Sequence, residues 1–365
     1  MPTGLSQSGD CRKAVSILFV YYLLFALAAC AGHRPFRESR QAIIFVSIIM
    51  TIAIGVRHEV GGDWSTYLTT FARAQNSSIE NWRYVSHDIG YAALNIACHN
   101  LGLGLVGVNT IAGAILMTGI AVFSQRFEAP WLVFVSATAY LVIVVGMGYT
   151  RQSMAVGFEL LALTAIMDKK SLRFLIWIAM AGVFHKSAFI LLPLGIFAAQ
   201  NRTQIHYAAV LVSACVGIYV LFSAEAAEYV EHYVESSRYS STGALVRLAM
   251  SAAAGTLLVL FHKQFCDNNS ERLLWGVFVV VTLIALGLTQ ISSTAADRLG
   301  IYLIPMQLFV CGRINRLSNN SATPVAAVIC YALALTVWLN FAVHADQWVP
   351  YQISPSVYQD TPKIQ

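Results

Sequence analysis

Charge is what this chain has least of. Of its 365 residues only 11% are Asp, Glu, Lys or Arg, while 57% are hydrophobic. Soluble domains are nearer a quarter charged, so this composition argues for a polytopic membrane protein, and a mean hydropathy of +0.64 agrees. The basic residues are scattered through short loops and form no stripe, so a formal net charge of +5 is no basis for nucleic-acid binding. Proline is sparse too, with nine spread along the chain among 24 glycines, and there is no low-complexity linker or visible repeat. The cysteines are Cys11, Cys30, Cys98, Cys215, Cys266, Cys311 and Cys330, without a C-x-x-C pair and mostly inside apolar runs. There cysteine behaves as a small hydrophobe, which argues against a disulfide framework and a zinc site. His58, His87 and His185 are single histidines without a metal-ligand spacing, so neither a metal nor a cofactor is expected.

What the chain does have is long apolar sequence. Runs at roughly 14–31, 41–56, 104–123, 129–147, 206–223, 244–261, 273–291 and 323–343 each approach the ~20 residues that cross the hydrocarbon core. Shorter runs at about 152–167, 172–184, 187–199 and 299–312 raise the expectation to about twelve transmembrane helices in an all-α fold. Residues 172–199 also fit a broken or re-entrant pair, and 88–100 a helix near the surface. The chain reads as one polytopic domain over 1–365, with polar outer loops at 57–103, carrying surface helices, and at 224–243.

Lys and Arg set the orientation. With the N-terminus outside, the inner loops hold Arg34, Arg37, Arg40, Arg126, the Lys169-Lys170-Ser171-Leu172-Arg173 cluster, Arg313 and Arg316, and the acidic 225–235 segment lies outside. One feature opposes this. Arg12-Lys13, an apolar run and Leu27-Ala28-Ala29-Cys30 resemble a lipoprotein signal peptide, whose cleavage would invert every later loop. Arg34, Arg37 and Arg40 directly after that run would hinder its export, which favours the N-terminus outside.

On that topology, polar groups gather at the outer junctions. Arg57-His58-Glu59-Val60-Gly61-Gly62-Asp63-Trp64-Ser65-Thr66-Tyr67 follows the second run, and His87-Asp88-Ile89-Gly90-Tyr91 comes next. Arg151 begins a helix, His185-Lys186-Ser187 interrupts the short apolar pair, and Asp297-Arg298 precedes Tyr302. Ionisable groups at membrane depth are costly and tend to mark function. Arginine offers planar, bidentate donors to phosphate, and a helix starting at Arg151 has N-terminal amides for an anion. Asp63 and Asp88 are the candidate general bases for a sugar hydroxyl.

Blander readings stay open. Arg57 also fits an interfacial anchor, Asp63 a helix N-cap, His185-Lys186 a polar turn, and Asp297-Arg298 a local ion pair. Glu159 and Arg247, inside apolar runs, fit pairing with each other or snorkelling. On a helix, Glu228, Glu231 and Glu235 would share one face and Tyr229 and Tyr233 another, as in a solvated surface helix or a lid over sugar rings.

Together these motifs resemble the EpsG family, itself similar to the Wzy-type O-antigen and exopolysaccharide polymerases. The resemblance is carried by Arg57 with Gly62-Asp63-Trp64 and Tyr67-Leu68-x-x-Phe71, Asp88-Ile89-Gly90-Tyr91, Arg151-Gln152-Ser153-Met154-Ala155, Phe184-His185-Lys186-Ser187-Ala188, and Arg298 with Tyr302. It covers about residues 14 to 343; where the family often has a proline before Gly-Tyr, this chain has Ile89. It implies a multi-pass glycosyltransferase of the bacterial inner membrane, acting in lipopolysaccharide or exopolysaccharide synthesis on undecaprenyl-diphosphate-linked oligosaccharides at the periplasmic face. A growing glycan would be the donor, its diphosphate held by Arg57, Arg151, Lys186 and Arg298. A hydroxyl of a new lipid-linked unit would attack, with Asp63 or Asp88 as base, His185 as orienting group, and Tyr67 and Tyr302 in the substrate site. Membrane lipid and a chain-length regulator protein are the further partners expected. The alternatives are an O-antigen-type ligase or other lipid-linked-sugar transferase, and a flippase or transporter of lipid-linked saccharide. A transporter would be expected to carry mid-membrane charges and internal repeats that this sequence lacks.

Overall fold

A computed structural model describes residues 40–199, 242–318, 322–342, 345–348 and 351–353, with isolated helical positions between 204 and 219. The first apolar run with its Leu27–Cys30 signature, and the acidic and tyrosine-bearing segment 224–241, lie outside the described residues.

The described chain is helical, and its elements sit on the apolar runs. Gly104–Ser124, Asn269–Leu288 and Ala322–Asn340 are long and apolar enough to cross a membrane, by length and composition. Five shorter apolar helices are Arg40–Gly55, Pro130–Gly146, Ser171–Phe184, Lys186–Phe197 and Leu245–Leu260. Among the described residues, three helices are of full span length, and several of the other apolar runs are broken. The 129–147 run is α-helical over Pro130–Ala137 and π-helical over Thr138–Gly146. The 187–199 run is a 3-10 helix, Lys186–Phe197, with Pro193 inside; the steeper rise of such a helix carries 12 residues about 24 Å. The 299–312 run divides into Ser293–Ile301 and Ile304–Gly312 at Pro305, which has no amide to donate and so suits a helix start. The Arg40–Gly55 helix shows the side-to-side contrast plainly. Ile43, Met50 and Ile54 are buried, while Ile44, Phe45, Ile48 and Ile52 are exposed.

The chain divides into two compact units. The first comprises the chain up to Ala121, Phe134–Met154 and the chain from Ala326; the second comprises Val122–Val133 and Ala155–Val325. In the first unit the 57–103 segment, where surface helices are expected, forms the helices Trp64–Gln75 and Ile89–Asn100. Ala74, Val85, Ala92 and Ile96 form the small core between the helices of this segment, with Trp82 against it. Strand β1, Arg57–His58, pairs antiparallel with β2, Gln352–Ile353.

In the second unit, Trp275 stacks on Phe309 with centroids 4.4 Å apart, and ion pairs bind the loops. Arg126 makes a two-pronged pair with Asp168 at 2.7 and 2.8 Å, and Arg313 another with Glu271 at 2.8 and 3.1 Å. Arg316 bridges Glu128 and Asp267. The Asn268 side chain caps its helix by accepting from the Glu271 amide, while the Glu271 carboxylate accepts from the Asp267 amide. The loops tied together here are ones that the charge count assigns to one side. Near the other helix ends, Arg247 donates to the carbonyl of Asp297 at 2.9 Å and forms an ion pair with its carboxylate at 2.9 Å. Arg247 is therefore the partner of Asp297 and not of Glu159. Both Glu159 carboxylate oxygens are buried without a hydrogen-bond partner among the described residues.

Candidate functional site

The Arg57-to-Tyr67 segment is held by a turn that few residue types allow. Glu59 (φ 52°) and Gly61 (φ 106°) both adopt left-handed backbone. Glycine suits the second position doubly, since a Cβ on Gly61 would overlap the Met147 carbonyl. The turn swings Arg57 inward and starts the Trp64–Gln75 helix after it, with the Trp64 amide donating to the Gly61 carbonyl at 3.1 Å.

Arg57 is 1% exposed. Its Nη1 donates to the carbonyls of Ile54 (2.9 Å) and Gly146 (3.2 Å), and its Nη2 to Asn109 Oδ1 (3.1 Å) and Thr150 Oγ1 (2.8 Å). One guanidinium thus ties the end of the Arg40–Gly55 helix to the Gly104–Ser124 helix, to the π-helix end and to the start of Thr150–Met167. The π-helix carbonyl is part of the reason: such a stretch widens the helix and loosens its ladder, so a side donor can reach Gly146. Burial away from water lowers the Arg57 pKa to about 10, against the pull of nearby Tyr67, Tyr91 and Tyr351.

Asp63 stands at the N-cap of the Trp64–Gln75 helix, but its side chain makes no capping bond. Instead its Oδ2 accepts from the Tyr67 hydroxyl at 3.3 Å. Tyr67 and Tyr91 meet edge to face with ring centroids 5.7 Å apart. Burial raises both phenols above their ordinary pKa, so they remain protonated donors far into alkaline solution. The Tyr91 hydroxyl has no hydrogen-bond partner among the described residues.

Arg151 lies one residue after Thr150 and donates to Asp88 Oδ2 at 3.1 Å; the arginine side chain is 29% exposed, the aspartate 4%. Arg57 and Arg151 therefore differ in kind. The first is enclosed by protein acceptors, while the second pairs with an acid and keeps part of its side chain exposed. The break before Arg151 is small: Ser153 already donates its amide to the Tyr149 carbonyl, so that first-turn amide is occupied.

The second unit holds the other expected residues. His185 links the Ser171–Phe184 helix to the Lys186–Phe197 3-10 helix in extended backbone (φ −154°, ψ 109°). Lys186 is exposed and Arg298 partly so. Tyr302, at the end of Ser293–Ile301 and 2% exposed, shares a 3.0 Å hydrogen bond with Ser187. The Phe184–Ala188 motif and the Asp297–Tyr302 motif thus meet, as do those around Arg57, Tyr67, Asp88 and Arg151 in the first unit. Asn109, Thr150 and Ser187 were not singled out as site residues. Asn109 carried a signal, being an amide inside an apolar run. Trp348 and Tyr351 lay past the last apolar run in a segment with no motif.

Among the described residues this is a helical fold with arginine, aspartate and tyrosine side chains gathered at helix ends and one short two-stranded pairing. Its sequence matches the EpsG family model over residues 41–353, most of the chain. The chain belongs to the EpsG family, a family of Wzy-like polymerases. No curated protein and no solved structure matches it.

Proposed function

We propose that this protein is an inner-membrane polysaccharide polymerase. It would transfer a growing glycan from undecaprenyl diphosphate to a lipid-linked oligosaccharide repeat unit at the periplasmic face. The observation that carries the reading is the Asp88-backed Arg151 beside the Asp63–Tyr67 pair, in a chain of this family. Exposed apolar helix faces, such as that of Ile44, Phe45, Ile48 and Ile52, would face lipid. The ion pairs join loops that share a side in either orientation, and the Lys and Arg count is what favours the N-terminus outside.

The geometry suggests a division of labour. Arg57, enclosed by four acceptors, organises the site. Arg151 binds a diphosphate through its exposed part while Asp88 keeps it oriented. Asp88 is then the less suitable base, because its carboxylate is buried and committed to Arg151. Asp63, half-buried and facing a phenol, is the better base for the attacking sugar hydroxyl. That hydroxyl's oxygen bonds to the anomeric carbon, its proton passes to Asp63, and the lipid diphosphate departs with the bonding electrons. Fixed arginine charge stabilises the departing oxygens. In the second unit, Lys186 and Arg298 are proposed phosphate ligands, His185 an orienting group and Tyr302 a substrate contact.

Substituting Arg57, Asp63, Asp88, Arg151, His185 and Arg298 singly, and running the surface glycan on gels, tests these roles. Loss of one oxyanion-stabilising or base group typically costs about 10²–10³ in rate, so Asp63→Asn and Arg151→Ala should leave short chains. Arg57→Ala should also lower the unfolding midpoint of the detergent-purified protein, since it abandons four buried acceptors. Long chains from every variant at normal membrane content would sink the assignment.

A further inference from the structure

Residues after the Ala322–Phe341 helix return to the Arg57 region and fasten it at four points. The Gly61 amide donates to the Gln347 carbonyl at 2.7 Å, and the Tyr351 hydroxyl donates to the Ala53 carbonyl at 2.6 Å. Gln352 and Ile353 pair with His58 and Arg57 as β2 on β1. Trp348 is the anchor: it is 1% exposed, and its Nε1 donates to the π-helix carbonyl of Ile143 at 3.1 Å. Its indole lies over Gly148 so closely that a Cβ there would overlap the ring, and it leans on Tyr149 at 5.9 Å between centroids. Gly148 and Tyr149 directly precede Thr150, which holds Arg57, and Arg151, which holds Asp88.

We infer that Ala345–Trp348 and Tyr351–Ile353 form a strap that sets the positions of Arg57 and Arg151, with Trp348 as its positioning residue. Trp348 touches neither guanidinium; it acts through the Gly148–Tyr149 turn and through strand β1. The energetic logic is that of a rigid, water-excluding aromatic wedge. An indole buries a large area at small rotamer cost, and its N–H ties the wedge to one carbonyl of the π-helix. The inference rests on the reading of Arg151 as a ligand-binding group, and the experiment separates the two.

Trp348→Ala, Trp348→Phe, Gly148→Ala, the Gly148→Ala/Trp348→Leu double variant and Arg151→Ala are expressed in cells deleted for the gene. Polymer is quantified per amount of protein in the membrane. Misplacing a charged group by about 1 Å can cost up to 10²-fold in rate, so Trp348→Ala should lower polymer by roughly ten- to a hundredfold at near-normal membrane content. Trp348→Phe, which keeps the wedge, should retain most of the activity. Gly148→Ala should lower polymer by displacing the indole, and adding Trp348→Leu should restore part of it. A role in folding alone would make polymer track membrane content and would give no restoration. If Trp348→Ala fails to reach the membrane, the Gly148 pair decides, and absence of restoration overturns the strap. Normal polymer from Trp348→Ala and Gly148→Ala beside an inactive Arg151→Ala overturns the strap and leaves the site. Normal polymer from Arg151→Ala removes the site reading and the strap's role with it.

Discussion

The two arginines of the first unit show how one residue type does two jobs. Arg57 has its guanidinium spread over two main-chain carbonyls, an amide and a hydroxyl, so its planar fork is used as a joint between helices. Arg151 is partly exposed and pairs with a single acid, which leaves it the candidate of the two to meet a ligand. The phenols of Tyr67 and Tyr91 bear on stability. Burial raises both folded-state pKa values above the unfolded value of about 10. A group whose folded pKa is raised contributes stability that is complete below the unfolded pKa and is lost as pH rises past it. The unfolding midpoint of the purified protein should therefore fall above pH ~10, and Tyr67→Phe with Tyr91→Phe should flatten that decline. An unchanged slope in the double variant would show that these phenols are not responsible. The sequence marked Arg57, Asp63, Tyr67, Asp88 and Arg151 as a set, because polar groups beside apolar runs stand out. It could not show that Asp63 stands at an N-cap without capping, since that depends on where the Tyr67 hydroxyl lies.

At the level of elements, apolar length was readable and continuity was not. The boundaries of Gly104–Ser124 and Ala322–Phe341 follow from where the apolar run starts and stops. The π-helix at Thr138–Gly146 leaves no such trace, because its residues are as apolar as those of an α-helix. The β1–β2 pairing was equally hidden, since two residues of strand carry no periodicity and the partner lies near the far end of the sequence. The loop ion pairs make a graded prediction. Arg313 is 8% exposed, paired with Glu271 and set over the Phe309 ring at 4.7 Å. Removing one partner of a buried pair typically costs about 3–5 kcal/mol, so Arg313→Ala should markedly lower the unfolding midpoint. Arg126 and Asp168 are 39% and 27% exposed, and such pairs contribute only about 0–1 kcal/mol. Arg126→Ala should be nearly silent; equal losses from the two variants would mean that burial does not set the ranking.

For the whole molecule, sidedness is the property on which the proposed function depends, because that proposal places the polymerisation of lipid-linked units outside. The loops bearing Arg126, Asp168, Glu271, Arg313 and Arg316 are tied to one another in the second unit, while Arg57, Asp88 and Arg151 are tied together in the first. Reporters fused at 63 and at 169 should report opposite sides, with 63 periplasmic; a cytoplasmic 63 would overturn the scheme. The most direct measurement of the central claim is the length profile of surface glycan from cells deleted for this gene, with and without the wild-type copy. A polymerase predicts that deletion leaves single repeat units exported and attached, and that the wild-type copy restores the long ladder. A long ladder persisting without the gene, or polymer stranded on its lipid carrier, would contradict polymerase function; the stranded polymer would assign the chain to the ligation step instead.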